Sequence, residues 1–114
     1  MGNIVYEKSF EFAVKIVAET KKLTFKRQYE LSNQLLRCGT SIGANIAESE
    51  QAQSKADFIS KLSIALKEAA ETQYWLKLLS RSGDISEDIS KQLLIDVKEI
   101  ISILTASIKT SKKT

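Results

Sequence analysis

Histidine is absent from this chain of 114 residues, and so is proline. Without histidine the chain lacks the commonest general base near neutral pH and a common transition-metal ligand. The Glu-x-x-His pairs of di-iron helical bundles cannot be built from it. Without proline, and with only four glycines, the helix formers Ala, Leu, Lys, Glu and Gln run on with little interruption, which predicts an all-α fold. One cysteine, Cys38, excludes an internal disulfide and suits a reducing cytoplasm. No apolar run approaches the ~20 residues of a membrane span. The opening MGNIVYEKSFEF carries Glu7, Lys8 and Glu11 where a secretory signal has its apolar core, and Tyr6 where a myristoylation motif has Ser or Thr. The expectation is a cytoplasmic protein with no cofactor and no membrane partner.

What is present is helical periodicity. A single domain spanning 1–114 is predicted, with helices at about 4–22, 27–51, 55–82 and 87–110. In the first, Tyr6, Phe10, Ala13 and Val17 recur as the stripe, with Phe12 and Ile16 beside them, and KKLTFKRQ breaks the pattern. The second carries Leu31, Leu35, Cys38 and Ile42. The third starts at the N-cap Ser54, with Asp57 three residues on, and Phe58, Leu62, Ala65, Ala69, Thr72 and Leu76 form a heptad-like seam. Gly83 is a natural stop. Ser86 caps the fourth helix, with Glu87 and Asp88 in its first turn and Ile89, Leu93, Val97, Ile100, Leu104 and Ile108 as its stripe. Short connections predict antiparallel neighbours and an up-down-up-down four-helix bundle.

Gly39, Gly43 and Ala47 fall four residues apart on one face of the second helix. Each glycine costs about 1 kcal/mol against alanine inside a helix, so the close approach of another helix backbone is expected there. A further face of that helix carries Arg37, Ser41, Ala44 and Glu48, with Asn45 at its border. Asn45 reads first as a hydrogen-bonded polar group at a helix crossing, with a ligand contact as the alternative. On the third helix Ile64, Trp75 and Leu78 lie away from the main seam among Lys61, Glu68 and Glu71. Apolar side chains rimmed by charge are candidates for a subunit interface, against the plainer reading that Trp75 packs inside its own bundle. Glu68 and Glu71 share a face, and pairing with lysine explains them more simply than metal or acid-base work. Cys38 on a core stripe behaves as a small hydrophobe.

Net charge is +3, too small to assign a partner. Its distribution is more telling. Lys21, Lys22, Lys26 and Arg27 cluster with no acidic residue between Lys21 and Gln28, and are the candidate contacts to RNA or DNA; a solvated charge run is the plainer reading. A second basic cluster, Lys109, Lys112 and Lys113, lies near the chain end.

The segment QLLRCGTSIGANIAESEQAQSKADFISKLSIALKEAAETQYWL resembles the signature of the bacterial four-helix-bundle family encoded in intervening sequences of 23S ribosomal RNA. The resemblance spans the whole length, with residues 34–79 as its specific part. It places the family's polar signature on Arg37, Ser41, Asn45, Glu48, Lys61, Glu68 and Glu71. The chain departs from many members in having Gly43 where they carry proline, Ser49 where they carry glycine, and no proline near Phe25. The family is similar to the accessory variability protein of diversity-generating retroelements, a barrel-like homopentamer that works with a reverse transcriptase and nucleic acid. The resemblance therefore implies a homo-oligomer, in particular a pentamer. The expected function is a non-enzymatic oligomeric module that binds RNA or DNA through basic surface. The alternative is a protein-protein adaptor or scaffold without nucleic-acid binding.

Overall fold

The computed structural model describes residues 3–114. Four helices follow one another: α1 (Asn3–Phe25), α2 (Tyr29–Ser49), α3 (Lys55–Arg81) and α4 (Glu87–Lys113). Local chemistry sets their ends. The Ser54 hydroxyl accepts from the Asp57 amide at 3.0 Å, and Ser86 accepts from the Ile89 amide at 3.2 Å. Each satisfies an amide that the first helical turn leaves without a partner. α3 ends on Gly83 at φ 83°, where the Asp84 amide reaches back to the Leu79 carbonyl and the Gly83 amide to Ser80. α1 ends the same way one turn beyond the sequence expectation. The Gln28 amide bonds the Leu23 carbonyl and the Arg27 amide bonds Thr24. Here, however, the left-handed residue is Arg27, at φ 65°. Both are Schellman closures, a geometry that favours glycine at the turning position.

The helices form a four-helix bundle in which α1 packs on α2, α2 on α3, α3 on α4, and α4 returns to α1 over a shorter contact. Cross-helix pairs run in opposite chain order. Ser9 lies by Gly43 and Ile16 by Gly39, Arg37 by Glu68 and Glu48 by Lys61, Lys8 by Glu99 and Lys15 by Asp96. Neighbouring helices are therefore antiparallel, and the molecule is a rod 47 Å long and about 20 Å across, with extents of 21 and 19 Å.

The core is a single aliphatic column including Phe12, Ile16, Leu35, Ile42, Leu62, Leu76, Val97 and Leu104. On α2, α3 and α4 the buried positions follow the sequence stripes. On α1 they do not. Val5, Ser9, Phe12, Ile16, Thr20 and Leu23 face inward, whereas Phe10 is 52% exposed and Tyr6, Ala13 and Val17 are only half-buried. α1 carries apolar side chains around most of its circumference, so two stripes with helical spacing compete. The one that meets α2 and α4 wins.

Both glycines lie against α1, but the expected approach of another helix backbone occurs only at Gly43, whereas Gly39 packs on a side chain. A methyl group on Gly39 would lie 2.8 Å from the Ile16 side chain. One on Gly43 would lie 3.2 Å from Ser9 Oγ and 3.5 Å from the Ser9 carbonyl oxygen.

Candidate functional site

The seven signature residues come together along the outer seam of α2 and α3. At one end Arg37 donates to Glu68 Oε1 at 3.1 Å and to Glu71 Oε2, and reaches Gln34 Oε1 at 3.4 Å. The Trp75 indole N–H donates to the same Glu71 oxygen at 3.0 Å, and the Trp75 ring meets Tyr74 edge-on at 5.2 Å. At the other end Lys61 pairs with Glu48 at 3.0 Å. Between them the Ser41 hydroxyl donates to the Arg37 carbonyl at 2.6 Å, and Asn45 Nδ2 donates to the Ser41 carbonyl at 2.8 Å. Asn45 is thus a satisfied polar group on its own helix.

The electrostatics of this seam are those of a clamp. Partial burial works against the Arg37 charge, and the Glu71 and Glu68 carboxylates more than offset it, so its proton is held more tightly than usual. The hydrogen bond and charge of Glu48 raise Lys61 likewise. Beneath the seam, burial pushes the Cys38 thiol up, the reverse of what a nucleophilic cysteine needs. The two glutamates are spoken for by Arg37 and Trp75. Among the described residues, no group of three or more His, Cys, Asp or Glu side chains is placed to hold a metal ion.

The basic cluster lies at the end of the rod where the α1–α2 and α3–α4 turns meet. The turn itself is only Lys26 to Gln28, so Lys21 and Lys22 stand on the last turns of α1 rather than in a loop. Lys22 pairs with Glu19 at 2.9 Å, and the Glu19 side chain is 11% exposed. Lys26 Nζ donates to the Asp84 carbonyl at 2.6 Å, and Gln28 Nε2 to Asp84 Oδ1 at 3.2 Å. Lys26 therefore fastens the bundle end to the α3–α4 turn, while Lys22 is paired within α1. Lys21 and Arg27 are exposed and outside every ion pair among the described residues.

The interface candidates do not form one patch. Ile64 and Leu78 are each 39% exposed but lie fourteen residues apart, roughly 21 Å along α3. Trp75 turns into the α2–α3 seam and packs on the core. A face that the periodicity argument missed is more continuous. Phe10, 52% exposed, lines with Tyr6 and Ala13 one wall of a groove between α1 and α2 whose α2 wall is Thr40, Gly43, Ala44 and Ala47, and Val14, also 52% exposed, follows Phe10 one helical turn on. The small-residue stripe marks this groove, but assigning Phe10 to the core hid its other wall.

A four-helix bundle whose α2–α3 seam is tied by Arg37, Glu68, Glu71 and Trp75 defines the class. The chain belongs to the family described as 23S rRNA-intervening sequence protein, whose pattern it matches over residues 1–106. It is 53% identical to a protein of unknown function from the S23 ribosomal protein family of Bacteroides thetaiotaomicron VPI-5482, known from a crystal structure. That match covers 92% of this chain and 98% of the other, with a TM-score of 0.89. No curated protein matches the chain. No helix among the described residues is long and apolar enough to cross a membrane.

Proposed function

We propose that this chain is a non-enzymatic, self-associating cytoplasmic module that binds the phosphates of RNA or DNA at the bundle end carrying Lys21 and Arg27. The observation that carries this reading is Arg27 itself. Its left-handed backbone costs roughly 1–2 kcal/mol for a residue with a side chain, and the equivalent position of the α3–α4 turn holds Gly83. A guanidinium kept at a strained turn tip, exposed and outside any ion pair among the described residues, supports a role in contact rather than in folding. Self-association is supported by the uncovered Phe10 and Val14 face. A ring of such subunits, a pentamer by family resemblance, would repeat the basic end and multiply the +3 charge of each chain into a substantial field.

Binding of this kind is dominated by phosphate contacts and weakens steeply with salt, with a log-log slope of about −0.7 per phosphate neutralised on single strands and −0.9 on duplex DNA. Anisotropy titrations at low salt against RNA and DNA oligonucleotides test it. The double variant Lys21→Glu, Arg27→Glu is expected to lose binding while keeping its melting temperature within a few degrees. Lys22→Glu is a poor test, because it also sets a like charge against the buried Glu19. Absence of binding by the wild-type assembly hands the case to the protein-protein adaptor.

A further inference from the structure

On the opposite flank of the molecule from the α1–α2 groove, α3 and α4 enclose an open groove of about 700 Å³. Its walls are cationic. Lys77 and Arg81 stand one helical turn apart on α3, and Lys91 and Lys98 stand two turns apart on α4, with Glu87 as the one acidic lining residue. All four cations are exposed, and none takes part in an ion pair among the described residues. The lining is not purely cationic. Leu94, half-buried, lies toward the floor, and Ile95, 54% exposed, stands on the rim beside Lys91 and Lys98. Two small residues, Ser80 and Ser90, let the floor sink between the helices, and the Ser90 hydroxyl is already used, donating to the Leu76 carbonyl at 2.9 Å.

We propose that this groove docks an acidic amphipathic helix of a protein partner. The match is one of charge and shape together. A straight trough between two antiparallel helices takes a third helix in the manner of helix-in-groove recognition. An apolar stripe on that helix would cover Leu94 and Ile95. Carboxylates on both sides of the stripe would meet Lys91 and Lys98, about 10 Å apart along α4, and Lys77 and Arg81 on the other wall. A phosphate backbone would satisfy the cations but leave Leu94 and Ile95 wet, and no aromatic side chain lines the groove to stack on a base. This inference does not rest on the nucleic-acid reading, which concerns Lys21 and Arg27.

The full chain, isotopically labelled, is titrated with an 18-residue synthetic helix carrying a leucine stripe flanked on both sides by glutamate. The same stripe flanked by lysine is the control. The expected result is saturable binding at micromolar concentration, with backbone shifts concentrated on 77–81 and 90–98, and at least tenfold weaker binding of the control. The exposed pair Lys91→Glu, Lys98→Glu should weaken the acidic helix tenfold or more, and Ile95→Ser severalfold. Neither change touches the core. Equal binding of both peptides, or shifts mapping to another face, overturns the proposal. It is equally overturned if single-stranded RNA displaces the peptide from the same residues with higher affinity, or if anionic lipid vesicles do so. Loss of wild-type self-association in Lys91→Glu, Lys98→Glu would assign the groove to a second copy of the chain and likewise overturn it.

Discussion

At Gly39 and Gly43 the same residue type in the same helix answers to different neighbours. Beside Gly39 stands the stiff β-branched Ile16, with its Cβ 3.3 Å from where an added methyl would sit. Beside Gly43 the nearest atom is the Ser9 hydroxyl at 3.2 Å, which need give by only a few tenths of an ångström and can do so while keeping its bond to the Tyr6 carbonyl. Gly39→Ala is therefore expected to lose stability despite a gain of about 1 kcal/mol in helix propensity, since overpacking costs typically 1–3 kcal/mol. Gly43→Ala is expected to be neutral or slightly stabilising. Thermal melts of the two variants check this, and equal behaviour would sink the argument. At Arg27 the expectation runs the other way for stability and function. Arg27→Gly relieves a left-handed side chain and should raise the melting point by a few degrees, for a gain of up to about 1 kcal/mol. In the nucleic-acid reading it should also lower affinity. A variant that melts higher yet binds RNA or DNA unchanged removes Arg27 from that reading.

Titration adds a second residue-scale expectation. Burial raises the Cys38 thiol above its ordinary 9.0, and Glu48 raises Lys61 above 10.5. Both groups therefore hold their protons more tightly in the folded chain than in the unfolded one. Their contribution is fully present below those ordinary values and is lost as pH rises through the raised ones. The unfolding midpoint in urea should decline above about pH 9. At pH 8 a thiol alkylating agent should label Cys38 only as fast as the chain opens, so rapid labelling of the folded protein would contradict its burial.

Among the elements, the α2–α3 pair carries a polar network centred on Arg37, and α1–α4 is the looser side, spanned by Lys8–Glu99 and Lys15–Asp96 on its surface. Exposed pairs of that kind contribute little, about 0.2–1 kcal/mol each. Arg37 is different, because it serves two carboxylates and one of them, Glu68, is only 18% exposed. Arg37→Ala leaves both glutamates facing each other near the core, and a loss of about 1–2 kcal/mol is expected. Glu71→Gln should cost less, since an amide still accepts from the Trp75 indole. Urea denaturation of the two variants checks the order, and a larger loss in Glu71→Gln would mean that Arg37 is not the centre of the clamp.

For the whole molecule the self-association reading has two candidate faces. Trp75 is half-buried against its own core, so Trp75→Ala would damage the fold as well as any contact. Phe10→Ser with Val14→Ser changes only half-exposed side chains, and in the self-association reading it should dissociate the assembly while leaving the helix content intact. Ile64→Ser with Leu78→Ser is the matching test of the α3 surface. Sedimentation of the wild type and both variants at micromolar concentration decides between the faces. A monomeric wild type would remove self-association altogether.

The sequence by itself determined the class of fold. With no proline, abundant helix formers and single clear stripes on α2, α3 and α4, local chemistry and 3.6-residue periodicity left one architecture. Ser54, Ser86 and Gly83 could be read directly because capping and chain reversal depend on a few neighbouring residues. The signature residues could be recognised as a set, yet their pairing could not, because Arg37 and Glu71 are thirty-four positions apart and meet only when α2 and α3 pack. α1 shows the same limit at its sharpest. Periodicity gives angles around a helix, not the direction of the core, and a helix whose apolar arc spans more than half its circumference leaves that direction to its neighbours. Tertiary packing turned Val5, Phe12, Ile16 and Leu23 inward and left Phe10 and Val14 outside. It also brought Lys77 and Arg81 opposite Lys91 and Lys98, residues that the linear chain disperses among ordinary surface charge.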